Sequence, residues 1–139
     1  SGTGDSDSAM KKAAAGRDVT IEEDDNLHII ALQGPIAHEI LGANSQDDIA
    51  GLKFFHQIEA TVFGKPCIVS RTGFTGERGY EIFATADVVG DLWDAILEAG
   101  KDKGVMPLSF VGLNILRTEA ALLFHPFDVS ENESASPES

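Results

Sequence analysis

Ser70-Arg71-Thr72-Gly73-Phe74-Thr75-Gly76-Glu77-Arg78-Gly79-Tyr80-Glu81-Ile82-Phe83 lies between two strand-like runs and holds three glycines at a three-residue spacing among two arginines and two glutamates. The pattern G-x-x-G-x-x-G superficially matches a dinucleotide fingerprint. That fingerprint needs a helix directly after the loop, because the helix N-terminus holds the phosphate. Here Tyr80 to Thr85 alternates as a strand, with Tyr80, Ile82 and Ala84 opposite Glu81, Phe83 and Thr85. The loop therefore joins two strands, and an all-parallel dinucleotide sheet is excluded.

Upstream, His56 to Phe63 alternates, Gly64-Lys65-Pro66 supplies a turn and Cys67 to Arg71 returns, which predicts a hairpin. Before it, Leu27 to Gln33 is nearly continuous in apolar content, as expected of a central strand. Gly34-Pro35 ends that strand, and Pro35 suits the first turn of a short helix carrying Ile36, Ile40 and Leu41 on one face. Arg17 to Ile21 is compatible with a further short strand. Downstream, Val88, Val89, Leu92, Trp93, Ile96 and Leu97 repeat at helical spacing, so Asp87 to Gly100 reads as a helix with Trp93 as a core anchor. A short strand is expected over Val105–Leu108. Ser109 can cap a last helix with Leu113, Leu116 and Ala120 pointing inward. Two helices alternating with hairpin-connected strands predict an α+β fold, a ferredoxin-like two-layer sandwich with a mainly antiparallel sheet.

Length and composition agree with one domain: 139 residues, 42% of them apolar, suffice for a core without disulfides or a metal. The net charge of −13 is uneven, and eight of those charges lie in residues 1–25 and 128–139. No basic stripe serves nucleic acid and no basic amphipathic face serves anionic lipid, so neither partner is expected. No apolar run reaches the length of a membrane span, and the first residues are too polar for a signal peptide. The single Cys67 cannot form an internal disulfide and reads as a buried small hydrophobe in a reduced, cytoplasmic setting. Residues 1–16 read as a flexible lead-in, 17–128 as the folded domain, and 129–139 as a disordered acidic tail in which Asn132-Glu133-Ser134 matches the glycosylation pattern by chance.

Candidate chemistry is sparse. The glycines are explained equally by a tight turn, although a turn does not account for the charges around them. Glu81 either faces solvent or enters a pocket, where an ionised carboxylate can accept two parallel N–H bonds from a planar heterocycle with Phe74 and Tyr80 as apolar walls. His28, His38, His56 and His125 are scattered, and His38-Glu39 lacks the second histidine of a helical zinc motif, so no metal site is expected. No nucleophile elbow occurs.

Arg71-Thr72-Gly73-Phe74-Thr75-Gly76-Glu77 with Gly79-Tyr80-Glu81-Ile82 closely resembles the R-T/C-G-Y-T-G-E-x-G-x-E-I signature of the aminomethyltransferase family, the glycine cleavage T-protein and its relatives. Ala31-Leu32-Gln33-Gly34-Pro35, Leu92-Trp93-Asp94-Ala95 and Leu116-Arg117-Thr118-Glu119-Ala120 look like the family's A-L-Q-G-P, L-W-x-A and L-R-x-E-A-G. The resemblance runs from about Arg17 to Asp128 and covers the middle portion of the family. It implies a folate-binding domain of the T-protein type and tetrahydrofolate as cofactor. The reaction it implies is transfer of a one-carbon unit, for instance the aminomethyl group on a lipoyl carrier protein. It also implies a cytoplasmic location, mitochondrial in a eukaryote. A folate-dependent demethylase or a non-catalytic folate-binding module shares the same signature.

Carried over residue by residue, the resemblance makes Glu81 the pterin-binding glutamate and Phe74 the aromatic lining of the folate site, without the family tyrosine's hydroxyl. Arg117 is the remaining candidate for contacting folate, because Leu113 stands where the family's A-R-D-x-L-R has its first arginine and Asn114 where it has aspartate. The family glycine of E-A-G is Ala121. The family's catalytic aspartate lies upstream of the matched stretch and its C-terminal barrel lies downstream. No residue here is therefore assigned as catalytic, and the chain is expected to be an inactive fragment of an active parent enzyme.

Overall fold

A computed structural model describes residues 3–125 and 127–129. Its elements are α1 (Thr3–Ala14), β1 (Leu27–Gln33), α2 (Ala37–Ala43), β2 (Gln57–Val62), β3 (Lys65–Ser70), β4 (Gly79–Thr85), α3 (Ala86–Gly100), a 3-10 turn (Lys101–Lys103) and α4 (Phe110–Glu119). The four strands form one antiparallel sheet in the order β1-β4-β3-β2. β4 is therefore a central strand, and the glycine loop that precedes it opens at one end of the sheet. With α2 and α3 as the second layer, the chain is the expected α+β two-layer sandwich with an antiparallel sheet.

The period-2 alternation explains the core. Tyr80, Ile82 and Ala84 of β4, Ile30 and Leu32 of β1, Cys67 and Val69 of β3, and Ala60 and Val62 of β2 are buried. They pack with Ile40 and Leu41 of α2 and with Leu92 and Ile96 of α3 into one apolar cluster. Ile49 and Leu52, from the connection between α2 and β2, close its side. Ser109 caps α4 as expected, its hydroxyl accepting from Gly112 N at 3.1 Å.

Several expectations are corrected. β1 is an edge strand rather than a central one, and Leu27 and Ile29 are 41% and 57% exposed on the face opposite the helices. Its continuous apolar content therefore leaves apolar side chains uncovered. No strand forms at Arg17–Ile21 or at Val105–Leu108. In the second stretch Pro107 has no N–H to give a ladder, and Val105 N bonds back to Gly100 O at 3.0 Å. Within the stretch expected to be a flexible lead-in, residues 3–14 form helix α1; Lys11 pairs with Asp7 one turn earlier at 2.8 Å, and the alanines favour helix locally. Trp93 is not a core anchor but 42% exposed on the flank of α3, because Leu92 and Ile96 already fill the contact with the sheet. In α4 the buried residue is Arg117, while Leu113, Leu116 and Ala120 are only partly covered. The acidic tail lies outside the described residues except for its first one, Val129.

Candidate functional site

The loop between β3 and β4 is built on one side chain, Gln33, at the end of β1. Gln33 Nε2 donates to Thr72 O at 3.1 Å and to Tyr80 O at 3.2 Å, while Oε1 accepts from the Thr75 hydroxyl at 3.3 Å. A Cβ at either Gly73 or Gly79 would lie 2.1 Å from Gln33 Oε1, so both glycines leave room for this amide. Gly76 is the one of the three with positive φ, and a Cβ there would lie 2.4 Å from Ala120 Cβ. The glycine spacing thus lets the loop close over Gln33 and pack against the end of α4. Thr75 is buried at its centre.

The arginines of the loop serve as braces. Arg71 Nη1 donates to Leu52 O at 3.0 Å, and Arg78 Nη2 donates to Ala50 O at 2.6 Å and to the Tyr80 hydroxyl at 2.9 Å. Tyr80, fully buried, donates to Ile49 O at 3.2 Å. It faces the helical layer, opposite Glu81, and therefore cannot be the wall of a Glu81 pocket. The alternation of β4 itself decides this.

Glu81 lies on the open face of the sheet, in register with Ala31 on one side and Ser70 on the other. Thr72 Oγ1 is hydrogen-bonded to Glu81 Oε2 and lies 3.0 Å from Ser70 Oγ. Farther along this face Leu27, Ile68 and Phe83 floor a shallow concavity of about 480 Å³, with Asp47, Glu59 and Thr61 at its rim. Glu81 is not among its walls.

Phe74 belongs to a second group. Its ring centroid is 5.7 Å from that of Phe124, which also meets Phe110 at 6.0 Å and stacks on Phe127 at 5.6 Å. Arg117 lies over Phe124 at 5.8 Å. Its Nε and Nη2 donate to Asn114 Oδ1 at 2.9 and 2.6 Å, and its Nη1 donates to Leu122 O at 3.0 Å and to Asp128 Oδ2. Asn114, where the family pattern has aspartate, thus holds Arg117 in place. The Phe124 N–H and then the Arg117 guanidinium hold the Asp128 carboxyl below the usual range. Phe74 and Arg117 meet through Phe124, whereas Glu81 sits in the separate polar group with Thr72 and Ser70. Leu113 is half-buried in α4.

Cys67 is buried, its Sγ 3.7 Å from Ala60 O, and burial pushes its thiol up, which suits a small hydrophobe rather than a nucleophile. Among the described residues no three His, Cys, Asp or Glu side chains gather as metal ligands, and no helix is long and apolar enough to cross a membrane. Sequence reasoning passed over Gln33, Ser70 and Phe124. The one signal for Gln33 in the sequence was its place in A-L-Q-G-P; that it faces Gly73 and Gly79 appears only in the fold.

The family model described as the GCVT N-terminal domain matches residues 1–136. The gamma subunit of a heme-dependent oxidative N-demethylase from Ectopseudomonas mendocina is 45% identical over 94% of this chain and 34% of its own length. Aminomethyltransferases from Clostridium botulinum and Halothermothrix orenii are 43% and 36% identical over 80% and 84% of this chain and 30% and 32% of their own. The chain thus spans about a third of the length of these relatives. In solved structures, the fold is shared with a chain of the heterotetrameric sarcosine oxidase from Corynebacterium sp. U-96, in complex with pyrrole 2-carboxylate. That match has a TM-score of 0.56 and 19% identity and covers 70% of this chain and 51% of that one. The loop signature and the antiparallel α+β sheet have the same origin: this chain belongs to the GCVT N-terminal domain family.

Proposed function

We propose that this chain supplies the pterin-binding wall of a tetrahydrofolate-dependent aminomethyltransferase of the glycine cleavage T-protein type, one that transfers a one-carbon unit to tetrahydrofolate. The observation that carries the reading is Glu81, a carboxylate on the open sheet face whose Oε2 is held by Thr72. An ionised carboxylate so held can accept the parallel N–H donors of a reduced pterin, each charge-assisted bond contributing roughly 1.5–3 kcal/mol. Phe74, anchored on Phe124, would line the folate, and Arg117 would act by holding that aromatic cluster, because four of its five N–H donors are already engaged within the chain. Tetrahydrofolate would supply the nitrogen that receives the carbon. A lipoyl carrier protein is the donor partner in this reading, and no residue of this chain is assigned the catalytic step.

A second reading has a specific observation behind it. The N-demethylase gamma subunit matches 94% of this chain, against 80% and 84% for the two aminomethyltransferases named above. The same pterin wall would then serve a multi-subunit demethylase, taking up the carbon released from a methylated amine, or would act as a non-catalytic folate-binding module within it.

Calorimetric titration of tetrahydrofolate into the chain tests the common core of both readings. Saturable binding is expected, with Glu81→Ala weakening it about tenfold or more, as the loss of a charged acceptor requires. Equal affinity in the two proteins would remove Glu81 from the site. Heat is the better readout than tryptophan emission, because Trp93 lies on α3, across the sheet from Glu81.

A further inference from the structure

Ala31 and Ser70, the cross-strand neighbours of Glu81, are short and leave its long side chain several rotamers. What restricts it is a chain of hydroxyls. Thr72 Oγ1 reaches both Glu81 Oε2 and Ser70 Oγ, and a hydroxyl has one proton to donate. With the carboxylate ionised and able only to accept, Thr72 donates to Glu81 and Ser70 donates to Thr72. Thr72 is itself fixed at its carbonyl by Gln33 Nε2, and Gln33 is gripped between Gly73 and Gly79. Thr72 and Ser70 are half-buried and buried, so water competes poorly for these bonds.

We propose that Thr72 is a positioning residue that sets the rotamer and plane of the Glu81 carboxylate before a ligand arrives, with Ser70 and Gln33 as its supports. Thr72 occupies one lone pair of Oε2, leaving the other and both on Oε1 for a planar ligand with two parallel N–H groups. Binding then need not freeze a flexible glutamate, a cost otherwise charged against affinity. The inference rests on the reading of Glu81 as the pterin acceptor.

Tetrahydrofolate titrations of Thr72→Val, Thr72→Ser and Glu81→Ala, each with its unfolding temperature, separate the two claims. Thr72→Val keeps the shape and removes the hydroxyl, so it should weaken binding about threefold to tenfold with little change in unfolding temperature. Thr72→Ser should return affinity to within about twofold of the parent. In the Glu81→Ala background Thr72→Val should cost nothing further, because the group it positions is gone. Unchanged affinity in Thr72→Val beside a loss in Glu81→Ala would overturn the positioning role and leave the folate reading standing. So would failure of Thr72→Ser to restore binding, or an undiminished loss in the double variant. Unchanged affinity in Glu81→Ala would instead remove the folate reading, and the role of Thr72 with it. Should Thr72→Val not fold, Thr72→Ala takes its place with the same expectations.

Discussion

Gln33 shows how much one side chain can organise. An amide presents donors and an acceptor in one plane, and here both ends are used: toward two carbonyls of the loop and toward the hydroxyl of Thr75. A Cβ at Gly73 or Gly79 would push this amide aside and disturb those bonds. The glycine triplet was legible as a turn, but its reason was not. Sequence spacing suggests backbone freedom, whereas all three glycines stand where a Cβ would be crowded, and only Gly76 also needs positive φ. Ala121 is the opposite case, a residue with φ of 56° where the family pattern has glycine. The left-handed region costs an L-residue roughly 1–2 kcal/mol, partly offset by the greater entropy glycine loses on folding. Ala121→Gly should therefore raise stability by about 0.5–1 kcal/mol in urea unfolding. A loss of stability would show that this turn is not strained.

At the scale of the element, α4 and the turn after it are held by charge as well as by apolar packing. Arg117, 4% exposed, is satisfied from three sides by Asn114, Leu122 and Asp128. The family resemblance marked Arg117 as the remaining candidate for contacting folate; helical spacing puts it one turn from Asn114 but says nothing of the chain folding back at Asp128. That return depends on pH with a definite sign. The Asp128 carboxyl is held below its ordinary value, first by the Phe124 N–H and then by Arg117, so its stabilising contribution is present above the unfolded-state value of 3.8. It is lost as pH falls through the lower, folded-state value. Asp128→Asn should accordingly lower the unfolding temperature near neutral pH, and the gap between variant and parent should close as pH drops below about 4. A gap that persists at low pH would mean that the carboxylate does not brace this turn.

For the whole molecule the decisive feature is asymmetry between the two faces of the sheet. The helices cover one face; the other carries Glu81 together with exposed Leu27 and Ile29 and partly exposed Ile68 and Phe83. The neighbours Ile29 and Ile30, 57% and 6% exposed, test this directly. Ile30→Ala should cost about 2–5 kcal/mol by leaving a cavity in the core, whereas Ile29→Ala should stay within about 0.5 kcal/mol. Equal losses in denaturant unfolding would mean that the outer face is covered too. From the residues alone came the hairpin, the alternation of β4, the amphipathic α3, the α+β class and the family signature, because periodicity and turn chemistry are local and read directly along the chain. Tertiary structure alone decided that β1 is an edge strand, that Trp93 stays outside the core, and that Thr72 and Ser70 gather at the Glu81 carboxylate with Gln33 holding the Thr72 carbonyl behind them. Gln33 is 39 residues from Thr72 and 47 from Tyr80, and no local pattern encodes a contact made only when β1 is laid beside β4.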